Sequence, residues 1–222
     1  NNTTAVLGSN GSLVNGTNTA VLFDTASNIS STGTNVSGMV LNGQHSLTAI
    51  PITVTEDGTN LGIINLGDSS AGMYLTGGAR AKNKGTISVN NNSVAIYAEG
   101  SGAYIKNDNG IISIGEESTG LFLKDGDSIS NTGTGEITGT SRKSVGMYSE
   151  NSTITPALIT NDNKIDLSGD QSIGIYTTGG NTVTNNGTIL IGNSVGKSEP
   201  GVGIYADSSS SSITNSSTGV IN

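Results

Sequence analysis

One six-residue segment recurs along most of this chain, and that recurrence restricts the possible folds more than any other feature. The copies are Ser70-Ala-Gly-Met-Tyr-Leu75, Ser93-Val-Ala-Ile-Tyr-Ala98, Ser118-Thr-Gly-Leu-Phe-Leu123, Ser144-Val-Gly-Met-Tyr-Ser149, Ser172-Ile-Gly-Ile-Tyr-Thr177 and Gly201-Val-Gly-Ile-Tyr-Ala206. Their aromatic residues, at 74, 97, 122, 148, 176 and 205, are 23 to 29 residues apart. A unit this short cannot bury its own apolar face and must stack on its neighbours, so the repeat marks a solenoid.

Two further patterns alternate with the aromatic one from residue 56 onward. The first is an apolar-x-apolar strand at Ile64-Asn-Leu66, Ile87-Ser-Val89, Ile112-Ser-Ile114, Ile137-Thr-Gly139, Ile165-Asp-Leu167 and Ile189-Leu-Ile191. The second is an apolar-x-Asn element ending at Asn83, Asn107, Asn131, Asn161, Asn185 and Asn215. Period-two alternation is the signal of a half-buried strand, and Gly, Asn and Ser between the runs supply turns. The expected fold is all-β with no helices: a parallel β-helix with three short strands per coil, right-handed by the general preference for right-handed parallel crossovers. Residues 1–55 read as irregular N-terminal coils with an insertion near 44–56, and residues 56–222 as regular coils of about 23–30 residues. Thr4-Ala-Val-Leu7 and Thr19-Ala-Val-Leu22 read as degenerate coils, and Ser37-Gly-Met-Val-Leu41 aligns with Ala71-Gly-Met-Tyr-Leu75.

Strand parity gives an expected inside and outside. It places the residues one and three before each aromatic inward, as with Ile96 and Val94, and puts the Ser, the Gly or Ala, and the aromatic on the wet face. The glycines two residues before each first-strand Ile (Gly85, Gly110, Gly135, Gly187, Gly219, with Asn163 in the same slot) suggest a corner that needs positive φ.

Composition removes several functions. A net charge of −8 with nine Lys plus Arg scattered along the chain leaves no basic patch for nucleic acid. There is no cysteine for a disulfide or thiolate chemistry, and the one histidine, His45, has no partner for catalysis. The sequence holds neither a signal peptide nor an apolar run long enough to cross a bilayer. Both ends fall in repeat-like sequence, so the chain reads as part of a longer protein whose export and anchoring signals lie elsewhere.

The Ser-Val-Gly-Ile-Tyr strand, the Val183-Thr-Asn-Asn-Gly-Thr-Ile189 corner and the Asn-rich, Cys-free composition resemble the passenger domains of type V autotransporter adhesins, those of fusobacteria most closely. The resemblance covers residues 56–222 well and 1–55 loosely. It implies a β-helix displayed on the bacterial surface, held at the outer membrane by a translocator domain outside this chain. The implied partner is a protein or glycan on a host or bacterial cell, and no cofactor or catalytic residue is carried over; the alternative readings are a passive β-helical stalk carrying a distal binding region and an enzyme acting on polysaccharide.

Candidate contact residues follow from the faces and corners. The outward aromatics either stack as a stabilising column beside a Gly groove or offer a platform for sugar rings or a protein edge. Insertions fall at the 150–156 and 193–200 corners, where solenoids keep specificity. Tyr148, Tyr176, Tyr205, Glu150, Lys197 and Glu199 are therefore the expected ligand-binding residues. The Asn column at 83, 107, 131, 161, 185 and 215 is expected to form a structural ladder. Glu99, Glu150 and Asp207 read as a solvated stripe and not as a catalytic group, Asp125-Gly-Asp127 lacks any calcium-loop spacing, and the chain reads as a non-enzyme without metal.

Overall fold

The computed structural model describes residues 3–9, 21–23, 27–43, 56–192 and 200–222. Among these residues, 24 strands form three parallel sheets of eight, and there is no helix. The chain visits the sheets in fixed rotation. In one coil, Val94–Glu99 lies in an aromatic sheet, Tyr104–Asp108 in an Asn sheet and Ile111–Ile114 in an Ile sheet. Each strand then pairs with its equivalent one coil earlier and one coil later.

Register between coils is set by like residues. Ile64, Ile87, Ile112, Ile137, Ile165, Ile189 and Ile221 lie over one another, as do the aromatics and the Asn residues. β-Branched Ile favours a pleated strand, and its inward face forms one continuous core down the axis. One coil buries Ile87, Val89, Ala95, Ile96, Ala98, Ala103 and Ile105. Each larger side chain there is worth about 1.5–3 kcal/mol on burial, which is realised only when coils above and below close over it.

The N-terminal coils join the same sheets. Val36–Asn42 pairs with Ala71–Thr76 so that Ser37 faces Ala71 and Val40 faces Tyr74. The two similar tetrapeptides near the start do not occupy one slot. Thr4 and Leu7 are in the aromatic sheet, whereas Val21 and Leu22 are in the Asn sheet. The insertion expected near 44–56, with His45 and Pro51, lies outside the described residues except for Glu56. The adjoining Asp57 is buried and is held bidentately by Arg80, at 2.9 Å to Nε and 3.2 Å to Nη2.

The structure corrects the expected faces of the aromatic strand. Ser93, Ala95, Ile96 and Ala98 are buried, while Val94, Tyr97 and Glu99 are half-buried, and the strand pattern repeats in the following coils. Two successive residues thus point inward, which breaks the two-residue period at the Gly or Ala. The cause is packing: a Cβ on Gly120, Gly146 or Gly174 would stand 2.5–2.8 Å from Cγ2 of Ile137, Ile165 or Ile189. The glycine vacates the space that the Ile methyl fills. The Ser column is likewise interior, turned into the corner, where Ser93 N donates to Ser118 Oγ at 3.0 Å and Ser93 Oγ to Asn91 O at 3.0 Å.

A second correction concerns the corner glycines. None of Gly85, Gly110, Gly135, Gly187 and Gly219 has positive φ. They are glycine because coils approach too closely for a Cβ, which on Gly187 would lie 2.1 Å from Asn163 O and on Gly85 2.2 Å from Gly62 O. Asn163 fits this slot because the preceding corner, Asn131 to Ile137, is two residues longer than Asn161 to Ile165, and its amide donates to Gly133 O at 2.9 Å. Where this corner does turn left-handed, it does so at other residues, Asn109 and Gly133, both with φ of 64°, and a regular column of left-handed residues lies at the corner before the aromatic strand. Asn35, Ser69, Asn92, Glu117, Lys143 and Gln171, with φ of 52–58°, each turn the chain into the aromatic strand.

Candidate functional site

Six aromatic side chains form an outward ladder down one sheet. Ring centroids are 4.9 Å apart for Tyr74–Tyr97, 5.1 Å for Tyr97–Phe122, 4.5 Å for Phe122–Tyr148, 4.8 Å for Tyr148–Tyr176 and 5.3 Å for Tyr176–Tyr205. Three of these pairs are stacked, with interplanar angles of 9°, 22° and 9°. The rings stack on one another as the column reading expects, but the glycines point into the core, so no Gly groove lies beside them. Stacking at this distance occupies the ring faces, so what the column offers outward is ring edges and phenol hydroxyls.

Those hydroxyls meet a charged row. Glu99, Lys124, Glu150 and Thr178 are neighbours on successive coils. Tyr97 Oη donates to Glu99 Oε2 at 2.5 Å. Burial first, and then this bond, push the Tyr97 phenol well above its usual range, so it stays a neutral donor. Burial followed by Glu150 raises Tyr148, and burial followed by Asp207 raises Tyr176. Lys124 Nζ is 3.7 Å from Glu150 Oε1. Glu99 and Glu150 stand two coils apart, roughly 9–10 Å by strand spacing, with Lys124 between them.

Each inner ring of the ladder has two ring neighbours, which sets a measurable contribution. Tyr148→Ala is expected to cost about 1–3 kcal/mol from two lost ring contacts, read as a drop in urea midpoint; Tyr205→Ala, with one tilted neighbour, is expected to cost less.

Beside Tyr148 and Glu150 the regular surface is interrupted by residues 151–157. Asn151 is almost buried; its amide donates to Asn181 Oδ1 and Thr155 O, both at 2.8 Å, and its Oδ1 accepts from Thr153 N at 2.9 Å and Thr153 Oγ1 at 2.8 Å. Asp125 Oδ1 accepts from Ser152 N at 2.7 Å and Ser152 Oγ at 2.8 Å. Asn181 Oδ1 also accepts from Ala157 N at 2.9 Å. With Asn151, Ser152 and Thr153 engaged in this framework, the corner leaves Ile154 101% exposed, and Leu158 at the start of the next strand is 56% exposed.

The Ser152 bonds hold the Asp125 carboxyl below its ordinary range, the backbone bond contributing most. A carboxyl depressed in the folded state contributes above its unfolded value, about 3.9, and loses that contribution as pH falls through the folded value. Protection of the Ser152 amide from hydrogen exchange is therefore expected to hold at pH 5 and to fall in stronger acid. Asp125→Asn should remove that pH dependence.

The buried Asn ladder runs as a chain of amides: Asn83 Nδ2 to Asn107 Oδ1 at 2.9 Å, Asn107 to Asn131 at 2.9 Å, Asn131 to Asn161 at 2.9 Å, Asn161 to Asn185 at 2.8 Å and Asn185 to Asn215 at 2.7 Å. The second amide hydrogen goes to corner carbonyls such as Gly110 O at 3.0 Å and Asn163 O at 3.0 Å. Asn60 extends the ladder by one coil, donating to Asn83 Oδ1 at 2.8 Å. Its sequence signal was Gly58-Thr-Asn60, with Gly in the apolar slot. The buried Asn151–Asn181 pair was also missed. Asn181 takes the position just before the Asn strand that Ala103 and Ala157 hold in other coils.

Of the expected contact residues, Tyr148, Tyr176, Tyr205 and Glu150 lie on one face. Lys197 and Glu199 are outside the described residues. The other acidic pairs are engaged locally: Glu116 with Arg142 at 3.7 Å, Glu117 with Lys143 at 2.7 Å, and Asp127 accepting from Gly102 N at 3.1 Å. Among the described residues no three His, Cys, Asp or Glu side chains are grouped to hold a metal ion.

Three parallel sheets wound about a continuous aliphatic core, with polar ladders at the corners, define a pectate lyase-like β-helix domain. The family model described as the BigA third pectate lyase-like domain matches residues 1–135, more than half of the chain, and the chain belongs to that family of bacterial surface-protein domains. No curated protein and no solved structure matches it.

Proposed function

We propose that this chain is part of the passenger of a bacterial autotransporter and serves in adhesion to host cells or to other bacteria. In this reading a translocator region outside the chain holds it at the outer membrane. The observation that carries it is the row of half-exposed phenols and charged side chains, Tyr148, Tyr176, Tyr205 and Glu150, set at fixed spacing on one rigid sheet. Exposed aromatics on an ordered surface are favoured contact points because little conformational entropy is lost when they bind. The domain works without catalysis: Glu99 and Glu150 are separated by Lys124 and do not converge on one reacting atom. A net charge of −8 favours protein or glycan over nucleic acid.

The test is adhesion of the folded chain carrying Tyr148→Ala and Tyr176→Ala together with removal of corners 150–156 and 193–200. A loss of tenfold or more in bound protein, with the β-sheet signal retained, is the expected result. Undiminished adhesion would sink the reading and leave the chain a spacer for a binding region elsewhere.

A further inference from the structure

We propose that the outer face of the aromatic sheet docks a cationic amphipathic helix; this rests on the reading of that face as a contact surface and names what it takes. The rings do not stand alone there. Val94, Val145, Ile173 and Val202 also point outward, in one column with Thr119, and are half-buried or, for Val202, exposed. Rings and aliphatic side chains form an apolar stripe two columns wide, which crosses the six coils from Tyr74 to Tyr205 over roughly 24 Å at a strand spacing of about 4.8 Å. A contiguous apolar stripe on an otherwise polar surface marks a contact site, where single exposed residues do not.

Charge along the two borders selects the partner. On one side Glu99, Glu150 and Asp207 stand with Lys124 as the single cation. On the other, the corner that leads into the aromatic strand stacks Asp68, Glu116, Glu117 and Asp170 with Arg142 and Lys143. All three cations already lie against a carboxylate of the same border, Lys124 at Glu150, Arg142 at Glu116 and Lys143 at Glu117. Both borders are therefore net negative. A second copy of this face, nucleic acid or an anionic lipid surface would be repelled, whereas an apolar surface flanked by Lys or Arg is drawn to both sides at once.

The backbone selects a helix. Val94–Glu99 is paired on one side to Ala71–Thr76 and on the other to Thr119–Lys124, and the next two strands are enclosed in the same way. Along the stripe no strand edge is open for an extended peptide to pair with. A helix satisfies its own backbone and brings only side chains to the face. The borders, represented by Glu117 and Lys124, are seven residues apart in sequence. That separation, at most roughly 23 Å, seats a helix about 10–12 Å wide with its long cationic side chains reaching both borders. At 1.5 Å per residue the stripe matches a helix of about 16 residues.

The experiment titrates the folded chain into a labelled synthetic Leu/Lys peptide of about 16 residues with every Leu on one helical face, and reads fluorescence anisotropy. A peptide of the same composition with its Leu scattered, and a Leu/Glu counterpart, run beside it. Expected are saturable one-to-one binding of the first, binding weaker by about tenfold or more for the second, and none for the third. Val145→Lys with Ile173→Lys, both at outward positions, should weaken binding by about tenfold or more. Ile63→Lys with Ile111→Lys makes the same change of charge on the Ile sheet, where these residues are 47% and 49% exposed, and should leave binding within about twofold. Equal binding of the scattered peptide would reveal plain attraction to an acidic chain and overturn the proposal, as would equal losses in the two double variants. Self-association that Val145→Lys with Ile173→Lys abolishes would make a second copy the occupant and overturn it too. A chain that adheres to cells but does not bind the helix refutes the proposal and leaves the adhesive reading standing; a chain that binds the helix but adheres to no cell supports the proposal and removes adhesion alone.

Discussion

Gly179→Ala is expected to destabilise the protein by about 2–5 kcal/mol, because it combines backbone strain with a steric clash. Gly179 has φ of +78°, a conformation that costs an L-residue energy, and the added Cβ would lie 2.0 Å from the carbonyl oxygen of Asn151. That carbonyl is backbone of the adjacent coil and cannot rotate away without separating the two coils. Asn151 also anchors the 151–157 corner, so the substitution should loosen that loop as well as shift the urea midpoint. Gly33→Ala is the control: φ is not positive and the nearest atoms, Ser31 Oγ and Val36 Cγ2, are 3.3 and 3.6 Å away. It should change stability little.

Asn131→Ala is expected to cost about 2–4 kcal/mol. Asn131 accepts from Asn107 at 2.9 Å and donates to Asn161 at 2.9 Å and to Lys164 O at 3.2 Å. Truncation leaves Asn161 Oδ1 and Lys164 O buried without that donor, and an unmet buried group costs more than a hydrogen bond contributes. Asn215 lies at the exposed end of the ladder, where water can replace the lost bond. Asn215→Ala should therefore cost under about 1 kcal/mol. Equal losses at the two positions in urea unfolding would contradict the ladder as a buried, cooperative element. In a solenoid the loss at Asn131 should be visible as faster amide exchange in the coils on either side, since each coil is stabilised by its neighbours.

Period and spacing carried the fold. The order of three strand types, the in-register stacking of Ile on Ile and aromatic on aromatic, and the parallel sheets all follow from the near-repeats at 74, 97, 122, 148, 176 and 205. Parity failed where the chain departs from a two-residue period. Gly120 and Leu121 both face inward because the Gly leaves room for the Ile137 methyl, and a rule of strict alternation cannot represent that. Glycine proved ambiguous in the same way: at Gly187 it marks a close approach of coils, not a left-handed turn, while Glu117 and Lys143 take the left-handed positions without any sequence sign. At the candidate site, the aromatic column and the 150–156 corner were visible as a repeat and as an interruption of it. The exposure of Ile154 was not visible, because it depends on Asp125 and Asn181, which lie 29 and 27 residues away in sequence and one coil away in space.

The most direct measurement is equilibrium binding of the purified, folded chain to epithelial cells and to other bacteria across a range of concentrations, at two salt concentrations. A surface module that carries recognition within these coils gives saturable binding, blocked by excess unlabelled chain, and the salt dependence reads how much of it the charged side chains of the row contribute. Binding that never saturates, or none at all from a chain whose β-sheet signal and cooperative unfolding are intact, would contradict the account and make these coils a spacer.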